Sequence, residues 1–110
     1  MLLLPGLLDL CILRALRWEP THGAGVAAWI RLVTDGALDP EEGTLYPALH
    51  RLERRGLVES EWVRSENNRK ARHYLLTTAG RLYLRQALER WGRYGETIAK
   101  VLTYGSARGL

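Results

Sequence analysis

The sequence has one cysteine and no long apolar run. A single cysteine excludes an internal disulfide framework, and nothing else in the chain suggests secretion. Cys11 lies in the apolar stretch LDLCILRAL, where a thiol is usually a small buried hydrophobe. No stretch approaches the ~20 apolar residues of a membrane-spanning helix, and the N-terminal MLLLPGLLDLCIL lacks the positively charged leading segment of a signal peptide. We therefore expect a cytoplasmic protein with no membrane partner.

Residues that could form a metal site or a catalytic centre are also scarce. His22, His50 and His73 fall on three different predicted elements, and no HExxH motif, Cys-His cluster or carboxylate pair accompanies them. A metal site therefore fails for lack of ligands. A catalytic triad fails because no serine or cysteine has a credible base nearby. We predict no metal, no cofactor and no catalytic residue, and we reject an enzyme.

The sequence does have a marked charge asymmetry. Its 110 residues, 46% apolar and 25% charged, have the size and composition of one soluble globular domain. Residues 1–50 carry three basic residues against six acidic ones, whereas residues 51–110 carry 13 basic residues against six acidic ones. This concentration of positive charge favours a polyanion or an acidic surface as partner. A basic surface that is merely solvated is the alternative.

Helical spacing of apolar residues predicts two helices in the first third of the chain. The first fits Gly6 to Trp18 and is followed by the polar break EPTHG. The second runs from about Gly23 to Thr34, with Gly36 as its terminator. Its apolar side is formed by Val26, Ile30 and Val33.

A third helix begins near LDPEEGT and stops at Gly56. Asp39 is a good N-cap, Pro40 suits the first helical position, and Glu42 can close a capping box. The buried side of this helix is formed by Leu45, Leu49 and Leu52.

Pro47 makes the start of the third helix ambiguous. If the helix starts at Pro40, Pro47 lies a turn and a half inside it, with its ring against the carbonyl of Gly43 and no N–H to donate. The helix is then bent at 43–47. If it starts at Thr44 instead, Pro47 falls in the tolerant first turn. Both interpretations keep the leucines on the buried side.

The period then changes from helical to two-fold, which predicts a β-hairpin. In LVESEWVR (57–64), the residues on one face are Val58, Ser60 and Trp62. In RHYLLT (72–77), Tyr74 and Leu76 share one face. The turn formers of SENNRKA separate the two strands and make the hairpin tip basic.

Thr77 or Thr78 caps a last helix that extends to about Tyr104 and is roughly 40 Å long at ~1.5 Å per residue. Its apolar a/d stripe consists of Leu84, Leu88, Trp91, Gly95, Ile98 and Leu102. A helix this long overhangs a small core, so its stripe needs cover from the same helix of a second subunit. Leu7 and Leu8 on the first helix are candidates for the same dimer interface. Residues 105–110 are predicted to be a flexible tail.

Three helices followed by a hairpin is the order of a winged helix-turn-helix, an α+β fold that is mostly α. We assign residues 1–77 to this DNA-binding domain and residues 78–104 to a C-terminal dimerisation helix. In such a domain the third helix enters the DNA major groove, which is ~12 Å wide. The groove-facing residues are predicted to be Thr44, Tyr46, Pro47, His50, Arg51 and Arg54. On the hairpin, the residues predicted to neutralise phosphates are Arg69, Lys70 and Arg72.

The sequence also resembles a known family. GTLYPALHRLERRGLVESEW followed by SENNRKARHYLLTTAG is very similar to the PadR family of bacterial transcriptional regulators, over about residues 6–102. The single C-terminal helix resembles the short subfamily, in which this helix swaps against its partner to form the dimer. The resemblance implies a homodimeric repressor that binds a palindromic operator in double-stranded DNA, often that of its own gene. Some members are released from DNA by phenolic acids or planar drugs, which implies a small aromatic inducer.

Several aromatic residues have two interpretations. In multidrug-responsive members of the family a tryptophan on the C-terminal helix sandwiches a flat ligand between subunits, and Trp91 could match it. A tryptophan at an a/d position is also suited to plain interface packing. Tyr46 could contact a phosphate or pack against the hairpin. The remaining tryptophans, expected to be core or hinge aromatics, are Trp18, Trp29 and Trp62.

A winged helix can also be a protein-interaction module that binds an acidic partner. Such a module would normally present apolar anchors on the outward side of its third helix. This chain instead presents His50, Arg51 and Arg54 there. DNA is therefore the favoured partner.

Overall fold

The computed structural model describes residues 6–105, which form four helices and three strands. In chain order these are α1 (Leu7–Ala15), β1 (Thr21–His22), α2 (Gly23–Val33), α3 (Glu42–Arg54), β2 (Val58–Arg64), β3 (Lys70–Leu76) and α4 (Thr78–Thr103). This order confirms the predicted winged helix-turn-helix with a long C-terminal helix. The tail predicted for residues 105–110 lies, apart from Gly105, outside the described residues.

α1 supplies one side of the core. It buries the side chains of Leu8, Ile12 and Leu13, and Leu16, the residue after the helix, is buried as well. The helix ends at Ala15, three residues earlier than predicted. Trp18 is 68% exposed, so it is not a core aromatic, and the hinge role that was the other prediction for it stays a prediction. The guanidinium of Arg17 lies 3.9 Å from the centre of its ring.

The polar break predicted between the first two helices contains a short strand. β1 pairs antiparallel with β3, with Thr21 opposite Tyr74 and His22 opposite His73. The sheet therefore has three strands in the order β1-β3-β2, not the two that were predicted. Two residues of extended backbone are too few to show an alternating pattern, which is why the sequence did not reveal this strand.

α2 packs through Val26 and Ile30, which are fully buried as predicted. Val33 was predicted on the same side, but it is 52% exposed, because the last three residues of the helix extend past the core. Gly36 ends the helix as predicted. Its φ of 81° allows its N–H to donate to the carbonyl of Arg31.

α3 begins at Glu42, between the two starts that the sequence suggested. The N-cap residue is Glu41, whose side chain makes no capping hydrogen bond. Asp39, the predicted cap, lies instead 3.3 Å from Arg31 in an exposed ion pair. Neither predicted start is therefore correct, and Pro47 lies inside the helix.

The position of Gly43 explains how α3 contains Pro47. Proline cannot donate to the carbonyl of Gly43, and its ring opposes that carbonyl. Because Gly43 is exposed, water can reach this part of the backbone. The buried residues of the helix include those that were predicted and are Leu45, Ala48, Leu49 and Leu52. The missing backbone hydrogen bond thus lies on the side of the helix where it costs least.

β2 and β3, with the loop between them, form a wing that extends beyond the core. The pairs on its inner face are Val58–Leu76, Ser60–Tyr74 and Trp62–Arg72. Val58, Tyr74 and Leu76 are buried, as the alternation predicted. Trp62 is 66% exposed, which excludes the core from the two roles predicted for it, and a hinge role stays a prediction. The outer end of the wing therefore projects away from the core.

α4 starts in the core and then leaves it. The Thr77 side chain caps the helix by accepting the N–H of Gly80 at 2.9 Å. The backbones approach so closely here that a Cβ on Gly80 would clash with the carbonyl oxygen of Leu57. Leu84 and Ala87 are buried, whereas every described residue beyond position 91 is exposed. The overhanging helix gives the molecule a length of 61 Å against a cross-section of 27 by 22 Å.

Candidate nucleic-acid interface

The side of α3 that faces away from the core has few apolar side chains. Helical spacing places four exposed residues there, Gly43, Pro47, His50 and Arg54, which we call the outer face of α3. The residues that flank this face are Thr44 and Arg51 on one side and Tyr46 and Glu53 on the other. The outer face therefore has little side-chain bulk in its first half and two basic groups in its second half.

An ion pair with α1 holds one flank of the outer face. Arg51 Nη2 lies 3.3 Å from Asp9 Oδ1, and Arg55 Nη1 lies 3.8 Å from Asp9 Oδ2. The Asp9 side chain is only 18% exposed, whereas Arg51 keeps 51% of its side-chain surface. The guanidinium of Arg51 is therefore accessible from outside but anchored to α1.

Tyr46 packs against the first turn of α2. A Cβ on Gly23 would lie 2.6 Å from the hydroxyl oxygen of Tyr46, so only glycine leaves room for the ring at that position. The ring is half-buried and lies at the edge of the core. Tyr46 thus joins α3 to the start of α2, and the phosphate contact predicted for it stays a prediction.

Arg72 connects the wing to α3. Its Nε donates to Ser60 Oγ at 2.8 Å, and its Nη2 donates to Glu53 Oε2 at 3.4 Å. Ser60 donates to the same Glu53 oxygen at 2.7 Å. The guanidinium also lies 5.7 Å from the centre of the Trp62 ring, within the range of a cation–π interaction. Arg72 is therefore occupied by contacts that orient the wing relative to α3.

The tip of the wing carries accessible basic groups. In its turn, Asn68 has a φ of 58° and donates its N–H to the carbonyl of Ser65 at 2.9 Å. Arg69 and Lys70 follow and are exposed, and neither forms an ion pair with any residue in the described part of the chain. These two side chains can therefore reach a partner without first leaving an internal one.

Sequence reasoning missed Asp9, Glu53 and Ser60, although these residues organise the basic groups. Asp9 is 42 residues from Arg51, and Glu53 is 19 residues from Arg72. No spacing rule within one helix or one strand links such distant positions. The only available signal was the alternation in the hairpin, which placed Ser60 on the inner face.

The predicted dimer residues divide between the core and an exposed surface. Leu8 and Leu84 are buried inside the subunit, and Leu7 is half-buried. The other predicted residues, which we call the α4 stripe, are Leu88, Trp91, Gly95, Ile98 and Leu102. Leu88 and Ile98 are 37% and 38% exposed, and Leu102 at the end of the stripe is 76% exposed. The end of the stripe therefore has no cover from the described residues of its own subunit.

Trp91 lines an open cavity of about 440 Å³ between α1 and α4. α1 and the residue before it contribute Leu10 and Gly6, and α4 contributes Tyr83 and Tyr94. The rings of Trp91 and Tyr94 meet edge to face, with their centres 6.0 Å apart. Both the volume and the aromatic lining are typical of small-molecule sites.

The Cys11 thiol and the Tyr74 phenol both pack against or within the hydrophobic core. Burial raises the pKa of the Cys11 thiol, so this side chain stays protonated at neutral pH. Burial also raises the pKa of the Tyr74 phenol.

Within residues 6–105, no three His, Cys, Asp or Glu side chains are grouped to hold a metal ion. Among the described helices, none has both the length and the apolar character that a membrane span requires.

Known proteins are similar to this chain in sequence and in fold. A model of the PadR-like family of transcriptional regulators matches residues 12–86. A solved transcriptional regulator from Clostridium thermocellum is 32% identical, with a TM-score of 0.76 over 86% of this chain and 89% of that one. A solved PadR-like transcription factor from Bacteroides fragilis is 31% identical, with a TM-score of 0.72 over 87% of this chain and 90% of that one.

The fold also occurs in a protein solved with DNA. Bacillus subtilis PadR in complex with operator DNA has a TM-score of 0.67 at 21% identity, over 74% of this chain and 46% of that one. The family match itself extends from the middle of α1 into α4 and so includes α3 and the wing. The chain therefore belongs to the PadR-like family of transcriptional regulators, and it is a regulator and not an enzyme.

Proposed function

We propose that this protein is a sequence-specific DNA-binding repressor that acts as a homodimer on a palindromic operator. The outer face of α3 is the observation that carries the proposal, because it is exposed and ends in the basic groups of His50 and Arg54. Bacillus subtilis PadR, which has this fold, was solved with operator DNA. Repression, and control of the protein's own gene, rest on the resemblance to the family.

The proposed contacts divide into those that read bases and those that bind phosphates. Arg51 and Arg54 can each donate two hydrogen bonds to O6 and N7 of a guanine. His50 lies one turn before Arg54 on the outer face of α3. The small residues at the start of the outer face let the helix approach the floor of the groove. Arg69 and Lys70 at the wing tip would bind phosphates, which fixes the position of the protein without reading sequence.

The α4 stripe supports the proposal of a homodimer. Its last residues, Ile98 and Leu102, project from a helix that has already left the core, so they expose apolar surface that a second copy can cover. A two-fold dimer joined along α4 presents two α3 helices. Such a dimer reads two half-sites about one helical turn apart, which is why we expect a palindromic operator.

We further propose that a small aromatic ligand releases the protein from DNA, and that the protein works in the cytoplasm, where its DNA target lies. The support for a ligand is the cavity beside Trp91, which is flanked by Tyr83 and Tyr94 and lies next to the α4 stripe. Interface packing alone is the competing role for Trp91. Quenching of tryptophan fluorescence by planar aromatic compounds in the wild type, but not in Trp91→Leu, distinguishes the two roles.

Fluorescence anisotropy across a salt series tests the proposed function. The purified protein is titrated into labelled duplexes that tile the region upstream of its own gene, with shuffled duplexes as controls. Tight binding to one duplex with a steep salt dependence is the expected result. Weak and equal binding to every duplex would contradict sequence-specific control of its own gene. Binding to acidic proteins but to no duplex would favour an interaction module instead.

A further inference from the structure

Asp9 differs from the other acidic residues that form ion pairs. Its side chain is 18% exposed, whereas those of the other two, Glu53 and Asp39, are 29% and 59% exposed. It also contacts two arginines, with one carboxylate oxygen directed to Arg51 of α3 and the other to Arg55, the residue directly after α3. A carboxylate this sheltered with two cationic partners holds those partners more firmly than an exposed surface pair does.

Two structural roles for Asp9 are already visible. An acidic residue in the first turn of a helix interacts favourably with the helix dipole, and Asp9 lies in the first turn of α1. Arg51 and Arg55 are one turn apart, in the last turn of α3 and directly after it, where like charges destabilise a helix. A carboxylate between them offsets this repulsion. The dipole, however, does not require a contact with α3. The contact with α3 also restricts the orientation of the Arg51 guanidinium.

Arg51 is held at one corner of its guanidinium and is open at the others. The group has five N–H donors in a planar fork, and its contact with Asp9 is made through Nη2. The free donors therefore have a restricted set of directions, which lowers the entropy lost when they bind. The carboxylate also repels phosphates, so it disfavours any pose in which Arg51 turns toward the DNA backbone.

We propose that Asp9 is a specificity-determining residue, which positions Arg51 for base edges and keeps it from phosphates. The inference rests on the proposed function, since it needs α3 to bind DNA. Asp9 itself makes no bond to a base. It increases the difference in affinity between the operator and random DNA, partly by weakening binding to random DNA.

The test compares wild type and Asp9→Asn on two kinds of duplex. One is the sequence that the wild type enriches from a random duplex library, and the other is a shuffled version of it. In Asp9→Asn we expect the ratio of the two affinities to fall about tenfold, while the affinity for shuffled DNA stays the same or rises. The salt slope on shuffled DNA should become steeper by about one, because Arg51 is then free to bind a phosphate.

Asp39→Asn is the matched control. It makes the same change of charge and also breaks an ion pair with an arginine, but that arginine is on α2. Its affinity ratio should equal that of the wild type. Asp9→Glu keeps the charge but moves the carboxylate, so it should lower the ratio without changing the salt slope. This second variant also serves if Asp9→Asn does not fold, as judged by circular dichroism.

A double-mutant cycle with Arg51→Ala locates the effect. If Asp9 acts through Arg51, Asp9→Asn should not change the affinity ratio in the Arg51→Ala background. Equal losses on both duplexes in Asp9→Asn, which leave the affinity ratio unchanged, would mean that Asp9 only supports the fold and would overturn the proposal. Unchanged affinity for both duplexes would overturn it as well. If the wild type enriches no sequence at all, the proposed function fails, and that outcome is distinct from either of these.

Discussion

Glu53 on α3 and Arg72 on β3 form an ion pair of 3.4 Å, and Ser60 bonds to both partners. We therefore expect two different roles on the wing, with Arg72 orienting it and Arg69 binding a phosphate. Arg72→Ala should lower the free energy of unfolding by about 0.5–1 kcal/mol, since the pair is partly exposed, and should weaken operator binding because the wing loses its orientation. Arg69→Ala should leave stability unchanged, weaken all DNA sequences alike and reduce the salt slope by ~1. Urea denaturation and anisotropy measure these effects, and identical behaviour of the two variants would contradict the division of roles.

Arg54 is the arginine of the outer face of α3, and no ion pair engages it among the described residues. Arg54→Ala should cost ~1–3 kcal/mol on the operator and relax specificity at one base pair. Arg51→Ala should behave similarly. Arg93→Ala, which removes an exposed arginine of α4, should change operator binding by much less. Anisotropy on a set of single-base operator variants measures specificity. A uniform loss across that set would assign Arg54 to a phosphate.

Two glycines of α4 differ in their surroundings, since Gly80 is tightly packed and Gly92 is open. Substitution by alanine should therefore change the free energy of unfolding in opposite directions at the two positions. A Cβ on Gly80 meets the carbonyl oxygen of Leu57, so Gly80→Ala should destabilise the fold by at least ~1–3 kcal/mol. Gly92 has no atom of the described subunit within 4 Å of such a Cβ, so Gly92→Ala should stabilise it by up to ~1 kcal/mol. Urea denaturation at fixed protein concentration measures both. A strong loss in Gly92→Ala would place a partner's backbone against that residue.

The α4 stripe can be tested against the opposite side of the same helix. Leu88→Glu should give monomers with weak operator affinity, because a charge replaces apolar surface that the second subunit of the proposed dimer would cover. Leu82→Glu is the control, since Leu82 is 52% exposed and lies on the other side of α4. Sedimentation velocity should find a monomer for the first variant and a dimer for the second. A dimer in both would move the interface away from the stripe.

Local sequence patterns predicted the helices and strands well where buried residues recur at a regular spacing. The leucines of α3, the inner face of the wing and the cap at Thr77 all follow rules that act within a few residues. The start of α3 could not be predicted in the same way. It depends on whether the carbonyl opposite Pro47 can be solvated, and that depends on the exposure of Gly43 in the folded chain.

The partners of the basic residues could not be predicted from the sequence at all. Arg51, Arg69 and Arg72 look alike as residues of a basic surface. Only the folded chain distinguishes an arginine anchored to Asp9, one free at the wing tip and one engaged by Glu53. Charge patterns therefore identified the surface, and three-dimensional contacts assigned different roles to its members.

The close approach of Gly80 to Leu57 means that the length of α4 determines the distance between the two winged domains in the proposed dimer. Because backbone contact fixes the start of the helix on the winged domain, the number of residues between Gly80 and the α4 stripe sets the separation of the two DNA-binding domains. One inserted residue would turn the stripe by about 100° and break the match. Seven inserted residues would nearly restore the side of the helix, with a residual turn of about 20°, and lengthen each arm by about 10 Å. Half-site spacing in related regulators would then change in steps of whole heptads, without any change in α3.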